Sequence, residues 1–196
     1  MNRFYRIGID EVPGRLTLKD AEELRLVFVA LPGISADVNF DIAIEREGVN
    51  LEIYGLYLCP FSEKLGFNIR VRHLVGGSTS SQLFKGIVGG RASACFNGLI
   101  NVAPDAQKTR AFQENHTLLL SDDAKIETRP QLEIYADDVQ CSHGATTGFL
   151  NPDELFYMRS RGIPEEEARR MQIISFISPI LQMVPDEARE AILARL

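Results

Sequence analysis

From position 38 to about 140 the chain alternates apolar and polar residues. Val38, Phe40, Ile42 and Ile44 are separated by Asn39, Asp41 and Ala43, and Phe67, Ile69 and Val71 by Asn68, Arg70 and Arg72. A period of two puts the two sets on opposite faces of an extended strand, so this region is predicted to be sheet. Turn-forming pairs recur between the runs: Glu47-Gly48, Gly76-Gly77, Gly89-Gly90 and Pro104-Asp105. The runs also repeat. Val38, Phe67 and Phe96 lie 29 positions apart, as do Asn39, Asn68 and Asn97, and Ile42, Val71 and Ile100; Ile44 maps onto His73 and Val102. A fixed period in that range signals stacked coils. The apolar positions then form a continuous core, and the three asparagines an amide ladder along one edge.

After residue 150 the pattern changes to a helical one. Pro152-Asp153-Glu154 opens a helix with proline in the first turn and acids at the positive end, and Gly162 stops it. Pro164-Glu165-Glu166-Glu167 starts a second, whose apolar stripe is read as Ala168, Met171, Ile174, Ile177 and Leu181. Pro179 is expected to kink or break it. Pro185-Asp186-Glu187 starts a short third helix, with Ala188, Ile192 and Leu196 on its apolar face. Helices this short need a surface to pack on. The division is thus a β core over 1–150 and a helical subdomain over 151–196. Within the core, 1–37 form a cap or a first coil. Leu24 to Ala30 reads as a strand interrupted by Arg25, and Leu16 to Ala21 as a helical turn or a loop.

Composition narrows the function. A hydrophobic content of 45%, a charged content of 24% and a net charge of −6 describe an ordinary globular chain without the basic excess of a nucleic-acid binder. No apolar run reaches membrane-spanning length, and the first residues lack a secretory apolar segment. Cys59, Cys95 and Cys141 are odd in number and widely spaced, which favours free thiols in a reducing cytoplasm. There is no CxxC, GxGxxG, GxSxG or HExxH motif, and Gly76-Gly77-Ser78-Thr79 lacks the lysine of a phosphate loop.

The chemistry concentrates after a strand-like run, Leu132-Glu133-Ile134-Tyr135. An acidic pair, Asp137 and Asp138, precedes Cys141 and His143. On an extended backbone these last two point to one side and can present a thiolate and an imidazole to one metal ion or cluster. Each has a bland alternative: a turn histidine held by hydrogen bonds, and a cysteine used as a small buried hydrophobe. Asp137 or Asp138 would serve as an acceptor for the imidazole, or simply stand in solvent.

The segment Cys141-Ser142-His143-Gly144-Ala145-Thr146 after an acidic pair resembles the SufB/SufD family of iron–sulfur cluster assembly proteins, SufD most closely. Leu83-Phe84-Lys85-Gly86, Phe96-Asn97-Gly98, Ala106-Gln107-Lys108-Thr109, Asn115 to Ser121 and Glu154 to Ile163 extend the resemblance over 38–196. It implies an all-β core, a right-handed parallel β-helix with a C-terminal helical tail, which the period supports independently. Family members are usually longer on the N-terminal side, so the chain is expected to start partway along the β-helix. Its first coil would then show a raw sheet edge unless 1–37 cover it.

By the same resemblance the chain is a scaffold rather than an enzyme, with a SufB-like subunit and the SufC ATPase as partners. His143, with Cys141, would contact a transient cluster or iron at the subunit interface, with nothing tightly bound to the isolated chain. Phe156, Tyr157, Arg159 and Arg161 would dock the ATPase, the alternative being aromatics packed inward. Asn115 stands about where SufB-like chains carry a cysteine. The rival readings are a β-helix polysaccharide lyase or hydrolase, which needs paired carboxylates in a cleft, and a homodimeric scaffold with no metal role.

Overall fold

The computed structural model describes residues 1–19 and 23–196. Along them run β1 (Asn2–Arg6), β2 (Arg15–Leu18), β3 (Glu23–Ala30), β4 (Ala36–Ile44), β5 (Asn50–Cys59), β6 (Lys64–His73), β7 (Thr79–Val88), β8 (Ser93–Val102), β9 (Arg110–Leu119), β10 (Lys125–Ile134) and β11 (Gln140–Phe149), then α1 (Pro152–Ser160), α2 (Glu165–Leu181) and α3 (Asp186–Leu193). The odd strands form one sheet in the order β1-β3-β5-β7-β9-β11, the even strands a second in the order β10-β8-β6-β4-β2. Every pairing is parallel. Each coil therefore contributes one strand to each sheet, and the chain is a parallel β-helix with a helical tail.

The predicted rungs are present. Val38, Phe67 and Phe96 are register partners, as are Ile42, Val71 and Ile100, and Ile44, His73 and Val102. The asparagine ladder forms: Asn97 Nδ2 donates to Asn68 Oδ1 at 2.7 Å, and Asn68 Nδ2 to Asn39 Oδ1 at 3.0 Å. Residues 1–37 supply β1, β2 and β3, so they are coils in their own right. The helical turn or loop considered for Leu16 to Ala21 is instead a strand over Arg15–Leu18, pairing with β4; positions 20 and 21 lie outside the described residues.

The space between the sheets is filled by rings taken alternately from each. Phe67 lies 5.8 Å from Tyr57 and 5.4 Å from Phe84, and Phe84 lies 4.6 Å from Phe96. Two glycines make this possible. Gly55 is the register partner of Phe84, and Gly86 that of Tyr57. A Cβ on Gly55 would stand 2.1 Å from the Phe84 ring, and one on Gly86 1.9 Å from the Tyr57 ring. Each large ring thus lies over a bare Cα in a neighbouring coil.

Further along, the interior turns polar. Ser80, Gln82, Thr109, Gln113, Asn115 and Thr117 are buried there. His73 joins them, fully buried, with Nε2 2.8 Å from Ser80 Oγ. Burial pushes its imidazole down to about 4. The unfolded chain takes up this proton below about 6.5, the folded chain only below about 4. Stability is therefore fully present above pH 6.5 and is lost as pH falls towards 4, by up to about 1.4 kcal/mol per pH unit from this group. Denaturant titrations at several pH values are expected to show that slope in the wild type. They should show a shallower one in a His73→Val, Ser80→Ala double variant, which copies Val102 one coil on. Equal slopes in the two proteins would refute the assignment.

The helices pack on the outer face of the odd-strand sheet. Val27, Val29, Leu56, Leu58 and Ile87 meet Ile173, Ile177, Ile180, Leu181 and Ile192. The stripe expected on α2 is therefore corrected: Met171 is exposed and Ile174 only half-buried, while Ile173 and Ile180 are buried. Apolar residues lie on several sides of this helix, so spacing alone does not select the face. Pro179 does not break α2 either. The helix runs on to Leu181, and the Ser175 carbonyl that loses its backbone donor accepts the Ser178 hydroxyl at 2.9 Å. At α1 the Asn151 side chain caps the amides of Asp153 and Glu154, and Gly162 ends the turn with φ +86°.

Candidate functional site: the open end of the coil stack

β10 and β11 each have one neighbour and lie side by side at the end of the stack. Alternation fixes what faces the interior there. On β11 the inward row continues that of β7 and β9: Cys141 follows Ser80 and Ala111, His143 follows Gln82 and Gln113, Ala145 follows Phe84 and Asn115, and Thr147 follows Gly86 and Thr117. With no further coil over them, His143, Ala145, Thr147 and Phe149 are exposed, although they occupy core positions of the repeat. Across the gap β10 brings Thr128, Pro130, Leu132 and Ile134, the successors of Phe96, Gly98, Ile100 and Val102.

The two edges differ in protection. β10 carries Lys125, Glu127, Arg129 and Glu133, and Pro130 removes one donor, as expected of a blocked edge. β11, Gln-Cys-Ser-His-Gly-Ala-Thr-Thr-Gly-Phe, has no charged residue and no proline. Its free edge is a template for another strand.

Cys141 and His143 share the inward row, as the two-residue spacing requires. They differ in surroundings. Cys141 is half-buried beside Ile100, Val102 and Ala111, and burial raises its thiol above the ordinary value, opposed by a hydrogen bond to the Ala111 backbone. A thiolate ligand would have to be made at this position, whereas the His143 ring is already exposed. Among the described residues no group of three or more His, Cys, Asp or Glu side chains could hold a metal ion. These two therefore supply part of a ligand set at most. The acidic pair is solvated: Asp137 and Asp138 are exposed, and Asp138 is fixed through its backbone amide to Gln107. Asn115 is buried and bonded to the Tyr57 hydroxyl and to Thr128. His116 faces the opposite side of the sheet, between Thr146 at 2.7 Å and Glu114 at 3.1 Å. Cys59 is buried and its thiol is pushed up to about 12, which marks an inert packing residue.

At the other candidate surface, α1 buries none of its side chains. Phe156 is 72% and Tyr157 59% exposed, so the aromatics do not pack inward. Arg159 reaches Glu165 at 3.2 Å and the Arg161 guanidinium lies 5.3 Å from the Tyr157 ring.

The fold and this end define a class: a parallel β-helix that shows a thiol and an imidazole on an unpaired last coil. The chain belongs to the SufB/SufD family of iron–sulfur cluster assembly proteins. Residues 14–176 match the SufBD core domain of the SUF system for FeS cluster assembly. It is 40% identical over 159 residues to the iron-sulfur cluster assembly protein SufD of Escherichia coli, which covers 81% of this chain and 38% of that one. A SufBD family protein of Synechocystis is 47% identical over 163 residues, 82% of this chain and 36% of the relative. SufD of Bacillus subtilis is 37% identical over 121 residues, 62% of this chain and 28% of its own. The chain thus spans well under half the length of these relatives.

Proposed function

We propose that this chain is a SufD-like scaffold subunit that assembles clusters together with partners and turns over nothing alone. The observation that carries this reading is the position of His143 and Cys141 in the inward row of an uncharged strand with one free edge. A SufB-like strand adding along β11 would close the open end and bring the missing ligands. Iron, sulfide or the nascent cluster is cargo here. His143 would offer a ring nitrogen to it, and Cys141 a thiolate once deprotonated. The free thiols suit the reducing cytoplasm. No helix among the described residues is long and apolar enough to cross a membrane.

Exposed Phe156 and Tyr157 with Arg159 and Arg161 make α1 the docking surface for a SufC-like ATPase; aromatic and arginine side chains are typical anchors. Copurification of the chain with tagged SufB-like and SufC-like proteins from the native cell tests the assembly. Charge reversal at Arg159 and Arg161 is expected to abolish recovery of the ATPase and leave the circular dichroism spectrum unchanged. Undiminished recovery would rule out this surface. The hydrolase alternative gains nothing from the structure. A groove of about 460 Å³ over the asparagine ladder is lined by one carboxylate, Asp41, which Arg72 engages at 2.9 Å.

A further inference from the structure

A histidine that binds a metal through one nitrogen needs the other nitrogen held, because that second bond fixes the tautomer and the ring orientation. The acidic pair upstream does not provide it. One coil beneath His143 stands Gln113, its register partner, and one coil beneath that stands Gln82. Gln113 is fully buried. Its Nε2 donates to Gln82 Oε1 at 3.2 Å. The two polar atoms of an amide diverge from Cδ, so with Nε2 committed to Gln82, Oε1 is directed away from that residue. That oxygen is buried and has no hydrogen-bond partner, a costly state for an acceptor. Gly98 on β8 holds the amide there. A Cβ at Gly98 would fall 2.2 to 2.5 Å from Gln113 Nε2, Cδ and Oε1, so the amide lies flat on a bare Cα and has little room to turn.

We infer that Gln113 is a positioning residue for His143, its Oε1 accepting the imidazole Nδ1–H so that the Nε2 lone pair faces out of the open end. Nδ1 is the ring nitrogen nearer the backbone and therefore nearer the depth of the amide. Gln82, Gln113 and His143 then form one hydrogen-bonded stack that ends in a metal-facing nitrogen, and Gly98 keeps its middle member in place. The inference rests on the scaffold reading only for what the outward nitrogen binds.

The first test needs no cluster. Long-range proton–nitrogen correlation spectra of the 15N-labelled full chain, at about pH 8 where an ordinary imidazole is neutral, report the tautomer of each histidine; loss of a signal in His143→Ala assigns it. The wild type is expected to show His143 as Nδ1–H. Gln113→Leu, which removes the acceptor, should convert it to Nε2–H, and Gln113→Glu, which keeps an acceptor at the same reach, should retain Nδ1–H. Nε2–H in the wild type overturns the inference whatever the variants do, so a poorly folding variant cannot shelter it. Nδ1–H persisting in Gln113→Leu overturns it equally. In the reconstituted complex, Gln113→Leu is expected to weaken iron retention about tenfold or more. If Gln113 sets the tautomer but His143→Ala assembles clusters normally, the cluster role of His143 fails and this inference stands.

Discussion

Phe84→Ala is expected to cost about 4 kcal/mol, as for other fully buried phenylalanines. Its ring touches Phe67 in one coil and Phe96 in the next, so its loss opens a cavity that two coils share. That is a large part of the roughly 5–15 kcal/mol that holds a domain together. The same ring lies over Gly55, where a Cβ would stand 2.1 Å away. In the wild type, Gly55→Ala overpacks this contact and should cost about 1–3 kcal/mol. In the Phe84→Ala background the added methyl enters the cavity and relieves an entropic cost of glycine, so it should be neutral or stabilising by about 1 kcal/mol. Denaturant unfolding of the four proteins measures the cycle, with a coupling of about 2 kcal/mol expected. Simple additivity would show that the ring does not rest on Gly55.

His143→Ala should have the largest functional effect. The side chain is exposed and outside the core, so unfolding free energy should move by about 0.5 kcal/mol or less. Cluster absorbance of the complex reconstituted with SufB-like and SufC-like partners should fall at least about tenfold, as for loss of a supported metal ligand. Cys141→Ser should lose as much or less, since burial holds that group as a thiol. Full cluster yield with His143→Ala would make this histidine an ordinary surface residue.

How much of this was legible in the sequence follows from the lengths of the connections. β4, β6 and β8 repeat at 29 because each coil joining them has the same length, so Phe67 over Phe96 and the asparagine ladder could be read directly. The other sheet was hidden. Its register partners Glu23, Asn50, Thr79, Arg110 and Gln140 advance by 27, 29, 31 and 30, so no single period aligns them. β10 was lost to the repeat for the same reason, Ser93 pairing with Lys125 at a step of 32. At the site, the shared side of Cys141 and His143 was visible from spacing alone. Gln113 was not, because its relation to His143 is one of register across coils, and Gln113-Glu114-Asn115 reads as a polar run with no motif. The face of α2 was misjudged because Met171, Ile173 and Ile174 fall within one helical turn, and only the sheet beneath decides which of them is covered.

The inequality between the last two strands also sets a valence. A stack of parallel coils with two free, flat strands at its end could accept several chains and grow into a fibre. Here Pro130 and the charges of β10 block one strand, and β11 alone remains able to pair. One incoming strand therefore saturates this end. A proline and four charges in a ten-residue segment would thus leave this end of the stack room for one added strand.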